Sequence, residues 1–196
     1  VGEVIMGTPL REVIEAIGGG ARPGRTIRAI LPGVSTSFID AAALDTPVSY
    51  EALAAIGSGL GSAGFVVFDD QDDLVGVGAG VARFLAVESC GQCTPCKKDG
   101  LRIAELLEAT VRGESDEFKL AELRRRIATV ADGARCSLGT QQQVVAQSLP
   151  DMYPDDVSAH TERRVHHSQP RPVAALEGIT DGDAHIKELH AQKPPD

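Results

Sequence analysis

With 196 residues, 42% of them hydrophobic, and a formal net charge of -9, the chain has material for one domain or two small ones, and its acidic balance argues against a nucleic-acid partner. Its most apolar stretch, Leu74 to Val87, is broken by Gly76, Gly78, Gly80 and Arg83 and is too short to cross a bilayer, so direct membrane insertion is not expected. Glu3, Arg11 and Glu12 interrupt any basic-then-apolar start, so no targeting segment is read and a cytoplasmic location is expected.

The first segment alternates short apolar runs with turn residues. Pro9 to Ile17 is expected to be helical, with Thr8 as N-cap, Pro9 as first helical residue and Gly18-Gly19-Gly20 as the stop. Thr26 to Leu31 and Gly64 to Phe68 have the composition of strands, the second ending at Asp69-Asp70. Between them, Gly59-Leu60-Gly61-Ser62-Ala63-Gly64 spells a dinucleotide-binding GxGxxG. The glycines precede the strand, however, whereas phosphate binding needs a strand before them and a helix N-terminus after. A flexible connection is the better reading.

From Asp72 the periodicity becomes helical. Leu74, Val77, Val81, Phe84 and Leu85 mark one helix, Thr94 to Val111 a second, Ser115 to Ala131 a third with Ser115 as its cap and Phe118, Leu120, Leu123, Ile127 and Val130 as its apolar positions, and a fourth begins near Ser137. Arg124-Arg125-Arg126 fans around the third helix and is read as a solvated face. After Pro150, Pro154, Pro170, Pro172 and Pro194-Pro195 punctuate a polar tail, with room for a strand-and-helix appendage over Val173 to Ile179 and Ala184 to His190. The expected fold class is α+β, in three parts: residues 1–70 as a small α+β domain, 71–150 as a four-helix domain and 151–196 as an extended or partly disordered tail.

The chemistry concentrates in four cysteines. Cys90-x2-Cys93-x2-Cys96 places three thiols within seven residues, and Cys136 follows after 39 intervening residues. Three ligands from one compact loop and a fourth from afar suit a cuboidal iron-sulfur cluster. Zinc, which prefers two separated pairs, is the rival reading, as the staple of a non-redox interaction module. Disulfides would have to close very short loops, and no histidine accompanies the thiols to make a nucleophilic pair, because His160, His166, His167, His185 and His190 all lie in the tail. Gly91 is expected to allow close backbone approach to the sulfurs. Lys97, Lys98 and Arg135 are read first as solvated and second as offsetting cluster charge.

Glu88-Ser89-Cys90-Gly91-Gln92-Cys93-Thr94-Pro95-Cys96 with Cys136-Ser137-Leu138-Gly139 closely resembles the cluster-binding region of the NADH-oxidising flavoprotein subunit of respiratory complex I and of related NAD-linked formate dehydrogenases and hydrogenases. Gly7-Thr8-Pro9-Leu10-Arg11-Glu12, Leu31-Pro32-Gly33 and the segment Gly59 to Asp69 resemble the soluble-ligand-binding β-grasp module that precedes it. The resemblance implies a β-grasp domain followed by a four-helix iron-sulfur bundle. It implies one [4Fe-4S] cluster on Cys90, Cys93, Cys96 and Cys136, no catalytic residue in this chain, and Leu138 and Gly139 on the side facing a partner flavin. FMN and NADH would be held by another domain or a partner chain, and the electrons would pass to other iron-sulfur subunits of a complex that is cytoplasmic or peripheral to a membrane. The chain is then a fragment of a longer flavoprotein or a stand-alone relay, part of an NADH dehydrogenase-type enzyme that does not oxidise NADH by itself. Lys97-Lys98-Asp99-Gly100 and the run Gln141-Gln142-Gln143 depart from the complex I pattern and point toward its NAD-linked relatives.

Overall fold

The computed structural model describes residues 1–165, 173, 176–180 and 183–186, and the chain divides into two units, one ending at Asp72 and the other beginning at Asp73. The fold class is α+β, as expected: seven α-helices and a three-stranded antiparallel sheet, with a second, two-stranded sheet near the C-terminus, among the described residues.

In the first unit, helix α1 (Leu10–Gly18) buries Leu10, Val13 and Ile14 on one stripe. It stops as glycine dictates: Gly19 takes φ 78°, and the amides of Gly19 and Gly20 return to the carbonyls of Glu15 and Ile14. Its start differs from expectation. Pro9 is the capping residue, and the Thr8 hydroxyl donates to the Ile5 carbonyl at 2.7 Å instead of capping the helix. Strand β1 (Ile27–Pro32) lies at the centre of the sheet, antiparallel to both β2 (Ile39–Asp40) and β3 (Phe65–Asp69), in the order β2-β1-β3. Central placement explains its consecutive buried residues Ala29, Ile30 and Leu31. A 3-10 turn (Ala41–Ala43) and helix α2 (Tyr50–Ala55), capped by Ser49 through the amide of Ala52, complete the unit around Leu10, Ile30, Ile39, Leu44 and Leu53. The GxGxxG residues connect α2 to β3, as the reversed order required.

The second unit holds α3 (Leu74–Glu88), α4 (Thr94–Val111), α5 (Glu117–Thr129), α6 (Leu138–Met152) and α7 (Pro154–Thr161). Helix α4 packs against each of the other four. Two bidentate ion pairs fix its neighbours: Arg83 of α3 grips Glu108 at 2.7 Å through both nitrogens, and Arg102 grips Glu122 of α5 at 3.0 and 2.8 Å. Asp99, largely buried, accepts from Arg126 at 2.6 Å and from the Thr129 hydroxyl at 2.8 Å. Arg126 is therefore a helix-pairing residue and not part of a solvated face, while Arg124 and Arg125 are exposed as expected.

Four further expectations are corrected. Helix α5 is capped by Asp116 and not Ser115: Asp116 has the extended backbone a cap requires, and its carboxylate accepts from the amide of Lys119 at 2.8 Å. Phe118 is 86% exposed, one position off the buried stripe of Leu123 and Ile127. Among the described residues the bundle has five helices, since the residues after Pro150 continue α6 and then form α7. Proline is tolerated in the first turn of a helix, where its missing amide has no partner to lose, so Pro154 opens α7 instead of ending structure, with Asp155 and Asp156 favourably placed in that turn. Beyond it, β4 (Leu176–Thr180) and β5 (Asp183–Ile186) pair antiparallel, so the second half of the appendage begins as strand where helix was expected. The rest of that expectation, and the histidine pair at 166 and 167, lie outside the described residues.

Helix α7 is tied to α3 by a pair that responds to pH. Buried His160 meets the Asp73 carboxylate at 3.0 Å, and that hydrogen bond raises the imidazole above its usual 6.5 against the opposing effect of burial. A histidine whose folded value is raised contributes stability that is complete below the unfolded value and lost as pH rises through the folded one. Urea midpoints should therefore fall as pH rises from about 6 to about 8, and D73N, which retains a capping side chain for α3, should flatten that dependence.

Candidate metal centre

Helix α3 ends at Glu88, and Ser89 turns the chain into the cysteine loop. Gly91 adopts φ 79°, a left-handed conformation that L side chains rarely hold. A methyl group there would meet nothing within 4 Å, so backbone conformation and not crowding accounts for glycine. Cys93 is the N-cap of α4, Pro95 lies in its first turn and Cys96 follows on the same turn. Cys136 lies immediately before Ser137, the N-cap of α6. Both cysteine segments thus run into the N-terminus of a helix.

All four cysteines are free of disulfides. Cys96 is buried, Cys93 is half-buried, and Cys90 and Cys136 are exposed. Among the described residues, no three Cys, His, Asp or Glu side chains converge closely enough to hold a metal ion. The chain places three thiols on one loop-and-helix segment and the fourth on another, without drawing them into coordination geometry.

The surroundings of Cys96 nevertheless suit a ligand thiolate. Its sulfur lies 3.4 Å from the Ser89 hydroxyl and 3.2 Å from Nε2 of Gln142, which also donates to the Cys96 carbonyl at 3.2 Å. A buried thiolate accepting two hydrogen bonds is chemically satisfied. Lys97 is also buried, contrary to its reading as solvated. Its ammonium donates to the carbonyls of Ala86, Val87 and Ser89 at 3.4, 3.3 and 3.0 Å, satisfying the C-terminal carbonyls of α3 and holding the entry to the cysteine loop. Lys98 and Arg135 are exposed.

Leu138 is half-buried. Gly139 is buried in the first turn of α6, where a methyl group would lie 3.2 Å from Ala131, Ala134 and the Val130 carbonyl, so the turn that follows α5 supplies a packing reason for this glycine. Gln142 and Lys97 are the residues that sequence reasoning missed. The signal was present in the spacing: Gly139, Gln142, Val145, Ala146 and Leu149 share one helical face, and Lys97 shares another with Gly100, Ile103, Ala104 and Leu107. Polar residues on such stripes are buried with their tips engaged.

Residues 77–160, which span all four cysteines, match the NADH-ubiquinone oxidoreductase-F iron-sulfur binding region. That stretch is an iron-sulfur binding domain of this family. Among the relatives, the HndC protein of the NADP-reducing hydrogenase of Solidesulfovibrio fructosivorans is 35% identical over 82% of this chain and 33% of its own length. The second F-type component of the NADH-quinone oxidoreductase of Rhizobium meliloti (strain 1021) is 33% identical over 83% of this chain and 39% of its own. The chain therefore spans little more than a third of the curated relatives it matches. Among solved structures, an NAD+-reducing [NiFe]-hydrogenase in the H2-reduced state superposes with a TM-score of 0.69 at 27% identity, covering 79% of this chain and 26% of that one. Among the described residues, no helix is long and apolar enough to cross a membrane.

Proposed function

We propose that this chain is the electron-receiving module of an NADH-linked oxidoreductase, with Cys90, Cys93, Cys96 and Cys136 holding one [4Fe-4S] cluster. The observation that carries the reading is the family match across all four cysteines, joined to the buried Cys96 sulfur with two donors against it. When bound, the cluster supplies one-electron storage between a flavin, which accepts electron pairs, and further iron-sulfur centres. Cys93 and Cys96 bind from the first turn of α4 and Cys136 from the approach to α6, so both helix N-termini favour the anionic assembly. Lys97 fixes the loop that carries Cys90, and Leu138 and Gly139 at the start of α6 lie on the side we assign to the flavin.

The FMN and NADH sites belong, in this reading, to a separate domain or partner subunit, with other iron-sulfur subunits downstream. The relatives are subunits of an NADP-reducing hydrogenase and an NADH-quinone oxidoreductase, and the Lys97-to-Gly100 and glutamine-run departures favour an NAD-linked relative of complex I. Residues 1–70 are read as the β-grasp module and 71–150 as the cluster domain, with α7 extending the latter.

Anaerobically purified or reconstituted protein should be brown, contain about four iron and about four acid-labile sulfide per chain, and give a paramagnetic signal on reduction. A colourless protein with one zinc and no sulfide would support the interaction-module alternative instead. NADH oxidation with an artificial acceptor should require an added flavin-binding domain or subunit; turnover by this chain alone would overturn that division of labour.

A further inference from the structure

We propose that Gln142 sets the reduction potential of the cluster held by Cys96, through an N–H···S hydrogen bond for which Gly100 makes room. The proposal rests on the iron-sulfur reading above and concerns one of the two side chains against the Cys96 sulfur.

Gln142 is 3% exposed, in the second turn of α6, and its Nε2 lies 3.2 Å from both the carbonyl oxygen and the sulfur of Cys96. The carbonyl can only accept, so the amide nitrogen faces it and the second N–H of the same group reaches the sulfur. The amide oxygen lies against Gly100, on the same helix as Cys96, and has no hydrogen-bond partner among the described residues. A Cβ at Gly100 would overlap that oxygen, so the absence of a side chain at position 100 is what admits the amide. A buried amide held with its acceptor unsatisfied costs stability. The sulfur contact is the feature that distinguishes this arrangement from an apolar residue of similar length.

Once Cys96 is a ligand its sulfur has no proton to give, so Ser89 and Gln142 both act as donors to it. One-electron reduction adds a negative charge to the thiolate-ligated assembly, with no bond made or broken. Part of that charge resides on the ligand sulfurs, and a donor aimed at a sulfur stabilises the reduced state more than the oxidised one. Removing the donor therefore lowers the potential. Because Cys96 is buried, water does not replace it.

The test is a dithionite titration of the reconstituted chain, followed by the paramagnetic signal and visible bleaching, for wild type, Q142M, G100A and Q143M. Q142M preserves length without a donor. G100A pushes the flexible end of Gln142 aside and improves helix propensity in α4, so it keeps the fold by a different route. Q143M is the control, because Gln143 donates to the Ile127 carbonyl at 2.8 Å and not to a cysteine. At fixed ambient potential the reduced-to-oxidised ratio should fall about tenfold in Q142M, or about 59 mV for a one-electron couple, with a shift of the same sign in G100A and none in Q143M. An unshifted potential in Q142M, or an equal shift in Q143M, overturns the proposal while leaving the iron-sulfur reading intact. If Q142M fails to hold a cluster, G100A decides: a downward shift supports the proposal and an unshifted potential overturns it. Wild-type protein without iron and sulfide removes the reading itself, and the proposal with it.

Discussion

Replacing Cys136 with alanine should reduce iron and acid-labile sulfide from about four per chain to near background, and with them the reducible paramagnetic signal. The reason is geometric. Cys90, Cys93 and Cys96 come from one short segment, and a cuboidal cluster needs a fourth thiolate that this segment does not contain. Cys136 is exposed, so its truncation removes no core packing, and the metal-free variant should unfold at the same urea concentration as metal-free wild type. Cys96→Ala does not offer that separation, because Cys96 is buried and both packing and ligation would change together. Iron and sulfide analysis of the two metal-loaded proteins, paired with denaturation of the metal-free ones, distinguishes a ligand from a packing residue. Full iron and sulfide in C136A would remove Cys136 from the proposed ligand set.

The second large effect concerns how α6 is held. Leu149 is fully buried, and its side chain lies over Gly78 of α3, where a methyl group would overlap the Leu149 Cδ1 atom. Leu149→Ala should cost about 2–5 kcal/mol, the range for deleting a buried leucine side chain. Gly78→Ala should cost about 1–3 kcal/mol by overpacking, partly offset by about 1 kcal/mol of helix propensity. The double variant should be more stable than the sum predicts, because the added methyl enters space the leucine has left. Urea denaturation of the four proteins measures that coupling, and strict additivity would show that α3 and α6 relax apart at this crossing. Since α6 carries Gln142 and is preceded by Cys136, L149A should also weaken cluster retention without altering any cysteine.

Helix α1 and the helices from α3 to α6 were legible because each has a long apolar stripe with glycine, proline or a capping residue at its ends. The cysteine cluster stands out for a different reason: the spacing of thiols is a local property. Strand β2 was not, since two residues carry no periodicity and Ile39 and Asp40 become a strand only by pairing with Ile30 and Ala29. Helix α7 was hidden by its opening proline and by a core too small to mark in sequence, Val157 and His160. Phe118 shows the converse failure. Periodicity located the apolar side of α5 but not the width of the face that α4 and α6 cover, which stops short of that residue.

The amino-acid order alone supplies the proposed donors: three cysteines in a loop, a fourth beyond two helices, and flanking residues that resemble a known family. Tertiary structure decided which polar residues support them. Lys97 and Gln142 lie on the buried stripes of their helices, but the stripe does not say what their polar tips meet. Only the meeting of α3, α4 and α6 turns the ammonium toward the carbonyls at the end of one helix and the amide toward the sulfur of Cys96 on another. Hydrogen bonds between residues 46 positions apart depend on helix packing, and that distance is invisible to any pattern within a single helix.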